Sequence, residues 1–176
     1  MKRKELFGIT DTIETIVRDK NGNIKSRRII NNSLWDRILR KLGLKHRCIT
    51  KYGMAEVAGL ILTDIGGTAF DYIAIGTGTT AATVDDQTLE TEIKRKAATG
   101  TRITTTQTND TSQWVATFSS DDGLSGTSNV TEVGILNAAS AGTLLLRQVY
   151  SPADVCNWDQ GDSLAVTVKN QIKQGS

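Results

Sequence analysis

Gly76-Thr77-Gly78-Thr79-Thr80 is the first place in this chain to look for chemistry. Backbone N–H groups exposed in a glycine-rich turn at a helix start bind phosphate. A phosphate loop of the Walker type, however, ends in Gly-Lys-Ser/Thr, and this stretch has no lysine. A dinucleotide fingerprint needs a third glycine opening a long helix, and residue 81 is Ala. The pattern therefore predicts a β corner in which Gly76 and Gly78 are structural, there for a positive φ or a close approach of backbone. Replacing Gly78 by Val is expected to harm folding without removing any nucleotide binding.

The acidic residues that follow, Asp85, Asp86, Glu90 and Glu92, are of the type that gathers calcium. They lack the Asp-x-Asp-x-Asp-Gly regularity of a dedicated loop. Asp85 or Asp86 is better read as the cap of a short helix or turn containing Leu89 and Ile93. Asp121 and Asp122 are adjacent, and neighbouring carboxylates seldom converge on one sugar bond. His46 is the only histidine, which removes most general-base and zinc constellations. Cys48 lies two residues away, with no third group to orient a nucleophile–base pair. No catalytic residue, cofactor site or metal site is predicted, and the expectation is a protein that is not an enzyme.

Charge points instead to partners. Residues 1–51 hold 14 Lys/Arg against 5 Asp/Glu, and residues 52–176 hold 7 against 14, so a net +2 conceals halves of +9 and −7. A basic arm on an acidic body suits docking on something acidic, such as another copy's body. Lys2, Arg3, Lys4, Arg27, Arg28, Arg37, Arg40, Lys41, Lys45, Arg47 and Lys51 also allow nonspecific contact with packaged DNA, without a recognition helix for sequence reading. Cys48 and Cys156 form no Cys-x-x-Cys motif, and whether they are free or bonded stays open. Met1-Lys2-Arg3-Lys4 has no apolar region after it and no run approaches the ~18 residues of a membrane span, so no export and no membrane are expected.

The elements that must hold these residues are mostly strands. Ile9 to Val17 and Ile24 to Ile30 flank Asp19-Lys20-Asn21-Gly22-Asn23, where Asn-Gly supplies the positive φ angles of a hairpin turn. Asn32 or Ser33 then caps a predicted helix, Leu34 to Leu42, closed by Gly43. Trp35, Ile38 and Leu42 form its apolar stripe, with Arg37, Arg40 and Lys41 beside it, and these six are the expected assembly interface. A second helix is expected over Met54 to Ile65. Phe70 to Ile75, Arg102 to Gln107, Gln113 to Ser119, Val130 to Leu136, Thr143 to Tyr150 and Leu164 to Ile172 read as strands separated by turns. The prediction is a mainly β protein, an antiparallel β-sandwich or open barrel with an N-terminal hairpin-plus-helix arm. The boundary falls between an arm at 1–52 and a Thr/Gly-rich body at 53–176. Ile73 and Ile75 are predicted core, on the opposite face from Tyr72, Ala74 and Gly76.

Four stretches carry a resemblance: Tyr72 to Thr80, Asp86-x-Thr88-Leu89-x-Thr91-Glu92-Ile93, Thr131 to Leu136, and Gly142 to Arg147. Over about residues 54–172 the chain resembles small structural proteins of tailed bacteriophages, variously tail, fibre, collar or decoration components. The resemblance implies a non-enzymatic virion subunit, made in the host cytoplasm, whose partners are its own copies and other virion proteins. It implies a homo-oligomer at the neck, collar or tail, or alternatively a decoration protein on the capsid head. A nucleic-acid-binding accessory protein using the basic arm is the second alternative. No small-molecule substrate and no catalytic residue follow from it.

Overall fold

The structure is a computed structural model, and it describes residues 8–31, 47–62 and 67–173. Ten strands and a helix follow in order: β1 (Gly8–Arg18), β2 (Ile24–Asn31), β3 (Arg47–Ile49), α1 (Lys51–Leu60), β4 (Tyr72–Gly76), β5 (Glu92–Ala97), β6 (Thr99–Ile103), β7 (Thr111–Phe118), β8 (Thr127–Leu136), β9 (Leu144–Asn157) and β10 (Ser163–Lys173). They pair antiparallel into two five-stranded sheets, ordered β2-β1-β10-β7-β6 and β3-β9-β8-β4-β5. The sheets pack face to face as a sandwich and keep separate edges, so the fold is not a closed barrel.

Period-2 alternation builds the core from both sheets. Ile13 and Val17 on β1, Ala116 and Phe118 on β7, and Leu164, Val166 and Val168 on β10 meet Ile73, Ile75, Val133 and Ile135 from the other sheet. Ile73 and Ile75 are fully buried, as the alternation predicts. The opposite face of β4 is covered as well: Ala74 packs with Leu89, Leu136 and Leu144, and Tyr72 rests against them. Leu89 brings the 77–91 segment over that layer, so β8 buries Val133 and Ile135 on one face and Leu136 on the other.

The N-terminal hairpin forms where the sequence places it, but it is built into the sandwich and does not stand beside it as an arm. β1 pairs along eleven residues with β10, from Gly8↔Lys173 to Arg18↔Ser163, and lies inside its sheet with β2 at the edge. Net charge describes surface side chains, whereas Ile13 and Val17 on the inward face place the hairpin in the core of the sandwich. The boundary expected at 52/53 falls within α1. The turn also differs from the expected one. Gly22 alone takes a positive φ, 83°, and Asp19 accepts from the backbone N–H groups of Asn21 and Asn23, so the loop spans Asp19–Asn23 with a register shift at Val17/Arg18.

The predicted helix Leu34 to Leu42 and the interface residues Trp35, Arg37, Ile38, Arg40, Lys41 and Leu42 lie outside the described residues. The connector beyond them supplies β3 and α1. Thr50 caps α1, its hydroxyl accepting from Gly53 N at 2.9 Å and donating to the Leu144 carbonyl, which starts the helix three residues before Met54. Gly53 lets the helix lie on β9, since a Cβ there would sit 2.5 Å from Leu145 Cα. β5 is hard to read as a strand from sequence: Glu92-Ile93-Lys94-Arg95-Lys96-Ala97 offers one large apolar residue, Ile93, enough for an edge strand whose charges also discourage further pairing. Among the described residues no helix is long and apolar enough to cross a membrane.

Candidate functional site

Two features stand apart from the ordinary core: an ion-paired clamp on the outer face of the second sheet, and an open apolar groove. The clamp draws together all four stretches on which the resemblance rests. Glu132 on β8 is completely buried. Its Oε1 accepts from Gly78 N at 3.0 Å and Thr91 N at 2.8 Å, and its Oε2 from Glu90 N at 3.1 Å and Arg147 Nε at 2.7 Å. Arg147, on β9, donates onward from Nη1 to Asp86 at 3.0 Å and from Nη2 to Glu90 at 3.4 Å. Thr131 closes the loop from the other side, donating to Gly78 O at 2.8 Å.

Electrostatics follow this geometry. Burial pushes the Arg147 guanidinium down, but its hydrogen bonds to Glu132 and Asp86 outweigh that and hold it above the usual arginine value. Burial likewise opposes ionisation of Asp86, while donors from Thr83 and Arg147 bring it below the usual carboxylate range. Glu90 is lowered by the hydroxyl and N–H of Thr80. Asp86 and Glu90 are thus kept ionised by groups already in place. A general acid or base needs a tuned proton and an approach for substrate; Glu132 has four donors on two oxygens and no exposed surface.

The glycines of the predicted corner are explained here, by close approach and not by φ, since neither is among the positive-φ positions. A Cβ on Gly76 would collide with Glu132 Oε1 and lie 2.5 Å from Thr91 O; one on Gly78 would lie 2.6 Å from both Glu132 Oε1 and Glu90 Cβ. Gly78 N–H does bind an anion, a carboxylate of its own chain. Of the short helix or turn expected at Asp85 or Asp86, the structure has a turn: Asp86 accepts from Thr83 N and Oγ1, and no helix forms over 77–91. Ile93 lies in β5.

The calcium candidates each meet a cation: Lys51 Nζ is 2.5 Å from Asp85, Arg95 is 2.7 Å from Glu92, and Arg147 serves Asp86 and Glu90. Among the described residues no group of three or more His, Cys, Asp or Glu is set to hold a metal ion. Asp122 binds Lys96 at 2.6 Å and caps its own turn at Ser119. Of the cations read as phosphate contacts, Arg27 pairs with Glu14 at 2.7 Å, and Arg28 reaches Asp154 at 3.4 Å and Pro152 O at 2.7 Å beneath the Tyr150 ring. Cys156 is free and buried, and burial first of all pushes its thiol up to about 12, an unreactive state.

The groove, about 920 Å³, opens where α1 stands off from the inner face of β10, β7 and β6. Phe70 and Leu145 line it from the core; Met54, Ile61 and Ile172 line it at the surface. Alternation turns Asn170 inward with Val168 and Val166, and its Oδ1 has no hydrogen-bond partner. Neither the groove nor the Glu132–Arg147 pair was singled out from sequence as a site. The pair had a signal: one charge inside each of two apolar runs, Thr131-Glu132-Val133-Gly134-Ile135-Leu136 and Leu144-Leu145-Leu146-Arg147. Compared with known protein families, characterised proteins and solved structures, the chain matches none.

Proposed function

We propose that this chain is a non-enzymatic structural subunit that assembles with its own copies, as a homo-oligomer at the neck, collar or tail of a tailed-phage particle. One observation carries the assembly part of this reading. The chain's buried charges at the clamp are paired within the chain, while among the described residues nothing covers an open apolar groove with exposed Met54, Ile61 and Ile172. Apolar surface that a single chain leaves open favours association. The phage setting rests on the resemblance of the Tyr72–Thr80, Asp86–Ile93, Thr131–Leu136 and Gly142–Arg147 stretches, which meet at the clamp that staples the body.

Mass spectrometry of purified particles tests the proposal. Stoichiometric presence in virions supports it, and absence sinks it. Copy number then separates locations: hundreds indicate decoration of the head, and on the order of a dozen indicate a closed ring at a collar.

A further inference from the structure

The 77–91 connection is long for a hairpin loop and has a layout of its own. β4 and β5 pair from Tyr72↔Ala97 to Gly76↔Glu92, so the segment leaves and re-enters one sheet at neighbouring positions. Thr77 N–H closes its neck on Thr91 O at 2.9 Å. A long connection with its ends together is an Ω-loop, a form often used as a lid. Its bonds divide into two sets. Within the loop, Glu90 accepts from Thr80 N and Oγ1 at 2.7 and 2.6 Å, and Asp86 accepts from Thr83 N and Oγ1 at 3.0 and 2.8 Å. These braces make it one body. Its outward attachments are gathered at two places. One is the Glu132–Arg147 pair, with Thr131 on Gly78 O. The other is the first turn of α1, where Lys51 N–H donates to Val84 O at 2.8 Å, Lys51 pairs with Asp85, and Gln87 donates to Tyr52 Oη at 3.1 Å. Ala82 and Leu89 are the buried apolar side chains of the loop.

We propose that the 77–91 loop is a lid that lifts from the outer face of the second sheet as one unit, pivoting at Thr77 and Thr91, while both sheets stay folded. It contributes no strand to either sheet, so lifting breaks no ladder bond. Glu132 and Arg147 lie on adjacent strands, 2.7 Å apart, and stay paired when the loop leaves. Water then takes the place of the loop's donors and acceptors, which lowers the net cost of giving up those bonds. The dry contact that is lost is Leu89 on Ala74, Leu136 and Leu144. A unit anchored at one charge pair, one helix start and one large apolar side chain opens at lower cost than two sheets that share a core.

Native-state hydrogen exchange on the full-length chain, followed residue by residue by NMR, tests it. The reporters are the amides of Gly78, Glu90 and Thr91, which donate to Glu132. They are expected to share one protection factor, about 100-fold or more below that of the central amides of β10, with a weaker dependence on urea. Leu89→Ala should raise the three reporter rates together, about 30-fold, by leaving a cavity under the loop. Ile13→Val trims one methyl group from the core between the sheets. It should speed β10 about fivefold and leave the reporters unchanged, since the lifted state keeps that core. Reporters as protected as β10, or sped by Ile13→Val as much as β10 is, mean that the loop comes free only when the whole chain unfolds, and the proposal falls. Reporters with unrelated protection, of which Leu89→Ala moves only some, would show separate local fluctuations in place of a lid and overturn it equally.

Discussion

The clamp and the groove are two ways of finishing a β-sandwich. At the clamp the fold buries a carboxylate and a guanidinium under the 77–91 segment and supplies every partner itself, from three backbone N–H groups and two further carboxylates. At the groove it leaves apolar side chains in water and an acceptor without a donor. The clamp's stakes are high because a buried charge that loses its partner has no water to turn to. Surface at the groove rim already has water, so changes there should leave the monomer's stability nearly alone.

The largest expected effect concerns the hairpin, which belongs to the self-completed part. Removing residues 1–31 takes away β1 and β2, leaves β10 as an unpaired edge, and removes Ile13 and Val17 from the core. The remainder should show no cooperative thermal transition. A folded, soluble remainder, the outcome expected if the N-terminal region were only an arm, would show that the hairpin is peripheral after all.

Next comes Glu132→Gln, which retains shape but places an amide donor among donors and leaves Arg147 buried without its nearest anion. Breaking a buried pair from one side costs about 3–5 kcal/mol. Urea unfolding should show that loss as a lower midpoint with little change in slope. A loss below about 1 kcal/mol would mean that the clamp is not what holds the 77–91 segment down.

Acid should act on the same segment more gently. Asp86 and Glu90 both have folded-state values below their ordinary ones, so their contribution is complete above the unfolded carboxylate range and is lost as pH falls through the lowered values. Asp110 behaves alike: burial opposes its ionisation, but donors from the 105–107 backbone and Gln171 overcome that. Melting temperature should be flat from about pH 7 to 5 and decline below about pH 4. A decline that begins near neutrality would point to other groups.

The smallest effect sharpens the contrast from the other side. Ile61→Glu, at a position 80% exposed, should change monomer stability by no more than about 0.5 kcal/mol in urea, because it touches no packed contact. A substantial loss would mean that the groove rim is part of the fold and not a free surface.

Much of the architecture was legible beforehand. Alternation located β4, β7, β8, β9 and β10 and marked Ile73 and Ile75 as core, because a strand's two faces are written directly in its period-2 pattern. β5 escapes a sequence pattern because edge strands need little apolar content, and of the helix or turn expected at Asp85 or Asp86 a turn forms because Asp86 finds its donors at Thr83. Gly76 and Gly78 were recognisable as structural, yet the cause was not. Their need for hydrogen in place of Cβ comes from Glu132, more than fifty residues away, and no local pattern shows such a neighbour.

By itself, then, the sequence determined the fold class of this protein, mainly β and rich in Thr and Gly. Those properties are local: strand period, turn residues and composition act over a few neighbouring positions. Tertiary structure decided the rest. It joined β1 to β10 across the length of the chain, so that a region marked off by charge became an inner strand of a sheet. It brought Glu132, Arg147, Asp86 and Glu90 within hydrogen-bonding distance, joining three carboxylates to one guanidinium around a buried Glu132–Arg147 pair. It also set α1 away from β10, β7 and β6, which opened the groove. Distances between residues far apart in sequence depend on how whole sheets stack, and no single strand carries that information.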